Sequence, residues 1–441
     1  MLATHARRGR SPLRDAERLP ISRGMNAEAP VRGAHLVAAG KRGRVGTGWL
    51  ARLVAGGFNR ILDRIDRGLE QGSLFATLPD ASQRLFGGRA PGPEAEIDLK
   101  HWNAVVRLAT GGSVGWYQAW EAREWDSPDP VQIFALFMRN AAALGGVARA
   151  KGPWRRLLKR LHSLQRNTPG GAQKNITAHY DLGNDFYAAW LDPTMSYSSA
   201  LYGEGGDSLE AAQLRKMDAM LARVCAGPEP ELLEIGCGWG SLAARATKRH
   251  GAKVTAISLS DEQLAYAREV HGDPRIDFRK QDYRDVTGQF DAIVSVEMVE
   301  AVGREFWPAW FDCLARCLRP AGRAAVQFIS IRDDLFDDYA ASADFIQAYI
   351  FPGGMLVRES EFRRLAAERA LEWRDQVDFG PDYAETLRLW RENFDAAVED
   401  GRLPAGFDER FVRLWRYYLM YCEGGFRGGG IDVSQVTLVK A

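Results

Sequence analysis

A glycine-rich stretch is the part of the sequence whose residue types and spacing most clearly suggest chemistry. Gly236, Gly238 and Gly240 alternate in EIGCGWG, directly after an apolar segment and before a helical pattern. Glycines allow a tight turn and let a ligand approach the backbone, while the first amides of a helix receive polar groups. Glu234, two residues before the first glycine, can face the ammonium group of a nucleoside cofactor. Dinucleotide-binding folds also carry such turns, so this stretch alone leaves the cofactor class open.

Two further strand ends supply the rest of a nucleoside site. The segment VTAIS ends at Ser258, Leu259 follows it, and Gln263 lies one turn into the next helical pattern, a set that suits ribose and adenosine. A dehydrogenase more often has Asp or Glu at this strand end to bind ribose hydroxyls, and none stands here. A third strand leads into QDY at 281–283, where Asp282 can accept from an adenine amino group. The three turns together favour a methyltransferase cofactor over a dinucleotide.

The sequence from about 170 to the end has the pattern of a sheet that would hold these turns. Strand-like apolar runs alternate with helical patterns, from ELLEIG through KVTAIS and FDAIVSVEM to RAAVQFIS. This alternation predicts an α/β fold with a Rossmann-like, mostly parallel, doubly wound sheet and helices on both faces. Ligands bind such sheets at the carboxyl ends of the strands, which is where all three turns lie.

Two other parts are predicted ahead of this catalytic domain, which we assign to 166–441. Residues 1–45 are rich in Arg, Gly, Ala and Pro without periodicity, which predicts a disordered basic extension. Residues 46–165 mix helical and strand-like pieces and predict a smaller α+β amino-terminal domain. It ends in a basic amphipathic segment at 154–166, WRRLLKRLHSLQR, which either lies on an anionic membrane surface or docks on the protein with a solvated basic face.

Bulk composition excludes several classes of protein. The net charge is +1, which argues against a nucleic-acid binder whose affinity comes from phosphate neutralisation. The five cysteines are scattered without paired CxxC motifs, so the sequence predicts no metal site and a reducing, cytoplasmic compartment. No run of about 18 apolar residues and no signal peptide is seen, so a lipid substrate would be met peripherally, at the inner face of the membrane.

Further stretches carry a family resemblance. They are HYDLGNDFY at 179–187, MSYSSALY at 195–202 and YIFPGG at 349–354, together with EIGCGWG, QDYRD, SVEMVEAVG, FGPDY and GGFRGGGI. With these motifs the chain from about 170 to 441 resembles the cyclopropane fatty acid synthases, which are S-adenosylmethionine-dependent methyltransferases. Residues from about 65 to 165 look like that family's smaller amino-terminal domain, which suggests a lipid-binding-like role.

The resemblance implies a reaction and a cofactor. A methyl group passes from S-adenosylmethionine to the double bond of an unsaturated phospholipid acyl chain, a carbocation forms, and a bound bicarbonate removes a proton so that a cyclopropane ring closes. It also allows a homodimer. The resemblance implies cofactor contacts at Tyr197, Ser198, Gly236, Gly238, Leu259, Gln263, Asp282 and Tyr283. Neighbouring residues of the same turns complete the candidate set: Glu234, Gly240, Ser258 and Gln281.

The implied catalytic set departs from the family pattern at three positions. Glu300 and Tyr383 match two side chains that hold the bicarbonate, and Ser199, Gln327 and Ile329 complete the candidate set. Serine stands at 199 where cysteine is usual, Ala301 follows the glutamate where histidine is usual, and glutamine replaces histidine at 327. No histidine occurs after His271, and glutamine does not titrate near neutrality, so these changes put the proton-removing apparatus in doubt.

Three alternatives therefore stay open beside cyclopropane formation. The same carbocation can lose a proton elsewhere and give a methyl- or methylene-branched chain. The protein can instead methylate a soluble small molecule, a reading that needs neither the amino-terminal domain nor the basic segment. A lipid- or nucleoside-binding protein with a decayed catalytic centre would bind the cofactor without turnover.

Overall fold

A computed structural model describes residues 32–39, 58–145, 182–225, 227–342 and 344–441. The basic segment predicted at 154–166 lies outside these ranges, as does most of the extension predicted for 1–45. Within that extension the structure differs from the predicted disorder, because helix α1 (Ala34–Ala39) forms there. Its apolar pair Leu36 and Val37 is buried against the main core, which explains why this stretch has a defined structure.

A small mixed sheet occupies the amino-terminal part. Its strands stand in the order β2-β1-β3-β4, with β1 antiparallel to β2 and parallel to β3. In β3 the residues Ala95, Ile97 and Leu99 are buried while their neighbours are exposed, the period of two expected for a half-buried strand. The elements are α2 (Phe58–Gly68), β1 (Ser73–Thr77), β2 (Gln83–Gly87), β3 (Glu94–Leu99), α3 (Asn103–Glu121), β4 (Trp125–Asp126), α4 (Pro130–Arg139) and α5 (Ala141–Leu144).

A seven-stranded sheet forms the larger part, in the order β10-β11-β9-β8-β5-β6-β7. Strands β5 to β9 pair in parallel, and β11 is antiparallel to both of its neighbours, which confirms the predicted α/β fold. The elements are α6 (Asn184–Ala188), α7 (Leu209–Val224), β5 (Glu231–Ile235), α8 (Ser241–His250), β6 (Lys253–Ser258), α9 (Asp261–Val270), β7 (Ile276–Lys280), β8 (Phe290–Val296), α10 (Trp307–Cys317), β9 (Leu318–Ile331), α11 (Asp333–Ala340), α12 (Glu359–Ala367), β10 (Leu371–Asp378), α13 (Gly380–Glu399), α14 (Glu409–Arg427) and β11 (Ile431–Lys440).

Helix α14 packs closely on α4, which joins the amino-terminal part to the larger sheet. A Cβ added at Gly424 would lie 2.3 Å from the Cβ of Phe134, and one at Gly428 would lie 2.6 Å from the Cβ of Met138. Both positions therefore need glycine for the two helices to approach. The predicted domain boundary at 165/166 stays a prediction, but the two parts share one apolar core.

Candidate functional site

The strand order reverses at β5, which pairs with β6 on one side and β8 on the other. In open α/β sheets such a switch point leaves a crevice at the carboxyl ends of the strands, where ligands bind. The motifs identified in the sequence follow those ends, since β5, β6, β7 and β8 finish at Ile235, Ser258, Lys280 and Val296. The fold therefore gathers segments that are distant in sequence at one edge of the sheet.

The glycine turn after β5 is shaped for a ligand at its centre. Gly236, Gly238 and Gly240 have φ of +87°, +51° and +91°, in the left-handed region that favours glycine. A Cβ at Gly236 would lie 2.7 Å from Met298 and one at Gly240 would lie 2.9 Å from Phe278, whereas a Cβ at Gly238 would meet no atom of the described residues within 4 Å. The outer two glycines thus serve packing, and Gly238 faces open space beside the start of α8.

Two buried ionisable side chains, one acidic and one basic, lie next to this turn. Burial raises the pKa of Glu234 to about 8, against the opposing effect of Lys216, and its Oε2 atom has no hydrogen-bond partner among the residues that the structure describes. Burial lowers the pKa of Lys216 to about 8, and its ammonium donates to the Ser198 hydroxyl at 2.6 Å. The Glu234 carboxyl and the Lys216 amine are the groups that would receive the ammonium and carboxylate of an amino-acid cofactor end, and a bound ammonium would favour the ionised form of Glu234. The site therefore fits S-adenosylmethionine.

The predicted ribose and adenine side is built from the ends of β6 and β7. The Ser258 hydroxyl donates to Oε1 of buried Gln263 at 3.3 Å. The Asp282 carboxylate accepts hydrogen bonds from Nε and a second nitrogen of Arg284, at 2.8 and 2.6 Å. Burial alone would raise the pKa of Asp282, but these bonds outweigh it and the pKa is lowered. Tyr283 is buried, and its hydroxyl has no hydrogen-bond partner among the described residues. The Asp282 carboxylate is thus ionised and held in place.

The remaining predicted cofactor contacts line the approach to this crevice. The Gln281 backbone amide donates to Ser258 at 3.2 Å, and Leu259 is half-buried. Tyr197 shares a hydrogen bond of 2.8 Å with Tyr418, hydroxyl to hydroxyl. The Ser198 carbonyl accepts from the side chain of α7 residue Gln213 at 2.9 Å.

A carboxylate that the sequence reasoning missed lies at the centre of the predicted catalytic residues. Oε1 of Glu297 accepts from the Ser199 backbone amide at 2.9 Å and from Nε2 of Gln327 at 2.7 Å. Its Oε2 atom accepts from the Tyr383 hydroxyl at 2.7 Å. Ser199, Gln327 and Tyr383 are three of the five predicted catalytic residues. They therefore meet at Glu297, which was not predicted, rather than at Glu300.

Glu297 is held in an unusual backbone conformation. It directly follows β8 and has φ of +48°, a region that costs a non-glycine residue about 1–3 kcal/mol and that is found most often at functional sites. Its amide donates to the Gln327 carbonyl at 2.8 Å, which fixes it against β9. The sequence did contain a signal for Glu297, namely its position at the strand end in SVEMVE. The motif match pointed instead to Glu300, three residues later.

Gln435 on β11 sets the direction of the Gln327 amide. The two residues are register partners, and Nε2 of Gln435 donates to Oε1 of Gln327 at 3.0 Å. The oxygen of Gln327 is therefore occupied, so its amide nitrogen is the atom that faces Glu297. Sequence reasoning gave no indication of Gln435.

Glu300 has a different environment from Glu297. One of its carboxyl oxygens accepts from the Ile329 backbone amide, and Oε2 is buried without a partner within the ranges given above. Burial, and after it the charge of Glu297, raise the pKa of Glu300 to about 8. At neutral pH this side chain is a carboxylic acid. The Tyr383 hydroxyl, predicted to hold the same anion as Glu300, donates to Glu297.

A largely apolar cavity of about 370 Å³ opens onto these groups. It is lined by Glu297, Glu300, Ala301 and Tyr383 at the polar end. The amino-terminal helices α3 and α4 and the carboxy-terminal helices α13 and α14 supply apolar walls, with Trp116, Phe134, Phe137, Met138, Leu387 and Tyr418 among them. Within the described ranges, no group of three or more His, Cys, Asp and Glu side chains is arranged to hold a metal ion.

Comparison with known proteins agrees with this geometry. Residues 168–436 match the family model described as mycolic acid cyclopropane synthetase. The tuberculostearic acid methyltransferase UfaA1 of Mycobacterium tuberculosis is 37% identical over 76% of this chain and 80% of its own length. The cyclopropane-fatty-acyl-phospholipid synthase of Escherichia coli K12 is 33% identical over 80% of this chain and 90% of its own length.

A solved structure agrees as well. The mycolic acid cyclopropane synthase CmaA1, complexed with SAH and CTAB, matches with a TM-score of 0.57 and 28% identity over 61% of this chain and 98% of that one. The resemblance drawn from the sequence motifs is confirmed, and so is S-adenosylmethionine as the cofactor. The chain belongs to the mycolic acid cyclopropane synthetase family and is an S-adenosylmethionine-dependent C-methyltransferase that modifies lipids.

Proposed function

We propose that this protein methylates the double bond of an unsaturated acyl chain in a membrane phospholipid and closes a cyclopropane ring. The observation that carries this proposal is the apolar cavity, which ends at a hydrogen-bonded carboxylate beside the cofactor turn. Such a cavity accepts a hydrocarbon chain, and the few polar groups at its end determine which carbon atoms react. The name of the Escherichia coli relative supports a phospholipid substrate.

The residues of the cavity suit a cationic intermediate. S-adenosylmethionine supplies an electrophilic methyl group on its sulfonium when bound. The alkene π electrons attack that methyl carbon, the sulfur–carbon bond breaks, and positive charge appears on the neighbouring chain carbon. Tyr197, Trp116, Phe351 and Tyr418 line the cavity with aromatic faces, which stabilise cations and exclude water that would otherwise trap the charge.

The position of the anionic end favours removal of the proton from the transferred methyl. Ser199, whose amide binds Glu297, immediately follows Ser198, and Ser198 is anchored by Lys216 next to the glycine turn. The carboxylate therefore lies on the cofactor side of the cavity, where the transferred methyl arrives. Loss of a proton from that methyl closes the ring directly, whereas the methylene isomer requires a hydride shift to the cationic carbon first.

A methyl- or methylene-branched product is the second candidate. It is favoured by the similarity to a relative named for tuberculostearic acid. The cyclopropane and branched products arise from the same methyl transfer. They differ only in what happens to the carbocation afterwards.

To reach a phospholipid substrate, the protein has to contact the membrane. No helix in the ranges that the structure describes is both long enough and apolar enough to cross a bilayer. We propose peripheral contact with the anionic inner face of the membrane. The basic segment that suggested it lies outside the described residues. A homodimer and a cytoplasmic location remain predictions.

Labelled cofactor distinguishes the outcomes. The purified protein is incubated with S-adenosylmethionine that carries a CD₃ group and with vesicles of monounsaturated phospholipid. The acyl chains are then converted to methyl esters, separated by gas chromatography and identified by their masses in mass spectrometry. A ring product with two deuterons supports the proposal. A methyl branch with three deuterons, or a methylene isomer with two that separates from the ring, supports the second candidate. Absence of label from the lipid would contradict both.

A further inference from the structure

The family resemblance implies a bound bicarbonate, but the anion-binding donors of this chain are already used. The Ser199 amide, the Gln327 side chain and the Tyr383 hydroxyl all donate to the Glu297 carboxylate, at 2.7 to 2.9 Å. A carboxylate and a bicarbonate have the same planar O–C–O edge, so one replaces the other on such donors. The residues present therefore do not fit a separate bicarbonate.

We infer that the Glu297 carboxylate is itself the base that removes the proton from the transferred methyl, in place of a bound bicarbonate. This inference rests on the proposed acyl-chain reaction. It also accounts for the glutamine at 327, because a site that carries its own carboxylate needs neutral donors around it. Ser199 and Gln327 are such donors, and neither has to titrate.

The hydrogen bonds leave one acceptor position on the carboxylate. Oε1 takes two donors and is saturated, whereas Oε2 takes only the Tyr383 hydroxyl and keeps a second acceptor direction. Glu297 lines the cavity, so Oε2 is the atom that can receive a proton from the substrate. Its position is fixed because Gln327 is in turn oriented by Gln435.

The surrounding charges suit a base that works near neutrality. Burial raises the pKa of Glu297, while its three donors and the ammonium of Lys216 lower it in part. Glu300, whose pKa is raised by burial and then by the charge of Glu297, and the donor Tyr383 are both kept protonated at neutral pH by burial. Glu297 is therefore the carboxyl of the pair with Glu300 that ionises first.

The step balances without any further reactant. Oε2 of Glu297 takes one proton from the transferred methyl, and the electron pair of that C–H bond forms the bond to the cationic chain carbon. Glu297 becomes a carboxylic acid. After the product leaves, it gives the proton to water and returns to the carboxylate.

The test compares the wild type with Glu297→Gln and Glu297→Gly in buffers freed of carbon dioxide, with and without added bicarbonate. We expect the wild-type rate to be the same in both buffers. Glu297→Gln should lose at least about 100-fold in rate, since removal of a general base costs about that much. Glu297→Gly fits the φ of +48°, vacates the donors, and should regain activity with bicarbonate. Matched melting temperatures and S-adenosylhomocysteine affinities control for misfolding.

Binding of ¹³C-labelled bicarbonate, followed by nuclear magnetic resonance, gives a readout that does not depend on the reaction. We expect binding to Glu297→Gly and none at this site in the wild type. Bicarbonate binding to the wild type, a wild-type rate that falls when bicarbonate is removed, or a Glu297→Gln variant of normal rate would overturn the inference. A wild type that labels no lipid, yet shows the expected binding difference, would overturn the proposed function and leave the internal carboxylate standing.

Discussion

Replacing Glu300 by glutamine should change stability little near pH 5 and raise it clearly near pH 7.5. In the folded protein the Glu300 carboxyl accepts one backbone amide, its other oxygen has no partner in the described part of the chain, and its pKa is raised to about 8 by burial and by Glu297. A neutral glutamine has nearly the same shape as the protonated acid and can accept the same amide from Ile329. The substitution therefore removes a titration and little else.

The magnitude follows from the difference between the two pKa values. The carboxyl ionises near its ordinary value of 4.5 in the unfolded chain and near 8 in the folded one, a difference of about 3.5. Between these values the folded state holds more protons than the unfolded state, so the stability contributed by this group falls as pH rises. From pH 5 to pH 7.5 the loss is roughly 3 kcal/mol for the wild type and zero for the variant.

Urea unfolding at several pH values between 5 and 7.5 measures this difference. Other groups that titrate in the same range, such as Glu234, are common to both proteins and cancel in the comparison. Glu94→Gln, on an exposed strand position, is the matched control and should run parallel to the wild type. If the Glu300→Gln and wild-type curves also run parallel, Glu300 is ionised when folded and the assignment of the two carboxyl groups fails.

Three further substitutions test the site. Gly238→Ala should weaken S-adenosylhomocysteine binding at least about tenfold in calorimetry, because its Cβ enters the space where the ligand approaches, and the left-handed φ of +51° should also lower the melting temperature slightly. Gln435→Leu frees the Gln327 amide to turn, so kcat should fall about tenfold with an unchanged KM for the cofactor, consistent with loss of one or two hydrogen bonds. Lys216→Met removes the donor to Ser198 and should raise the cofactor KM; an unchanged KM would contradict that anchoring role.

The parallel part of the fold was predictable because its signals are local. Each of β5, β6 and β8 is an apolar run followed by a turn and a helix, and position in such a sheet alone places the following residues at one edge. This is why the cofactor turns at Gly236, Ser258 and Asp282 could be identified before the structure was known. The local sequence pattern was enough to identify these turns, without knowledge of any long-range contact.

The catalytic centre was less predictable because its contacts are long-range. The hydrogen bond between Gln327 and Gln435 exists only because β11 inserts antiparallel between β9 and β10, and nothing near either residue in sequence indicates that pairing. Tyr383 similarly reaches Glu297 from the first turn of α13. Motif matching selected Ser199, Gln327 and Tyr383 as candidates, but it could not say that they surround Glu297.

Glu297 and Glu300 show how hydrogen-bond donors assign roles to two similar side chains. Both lie within four residues of the same strand end, line the same cavity, and have pKa values raised by burial. Glu297 receives three donors and faces the Lys216 ammonium, which stabilises its charged form, whereas Glu300 receives a single backbone donor and the repulsion of Glu297. Since two neighbouring buried carboxylates rarely ionise together, the better-hydrogen-bonded one becomes the base and the other keeps its proton. A neutral Glu300 beside the reacting carbons adds no second negative charge to compete for the substrate proton, so the proton has one destination.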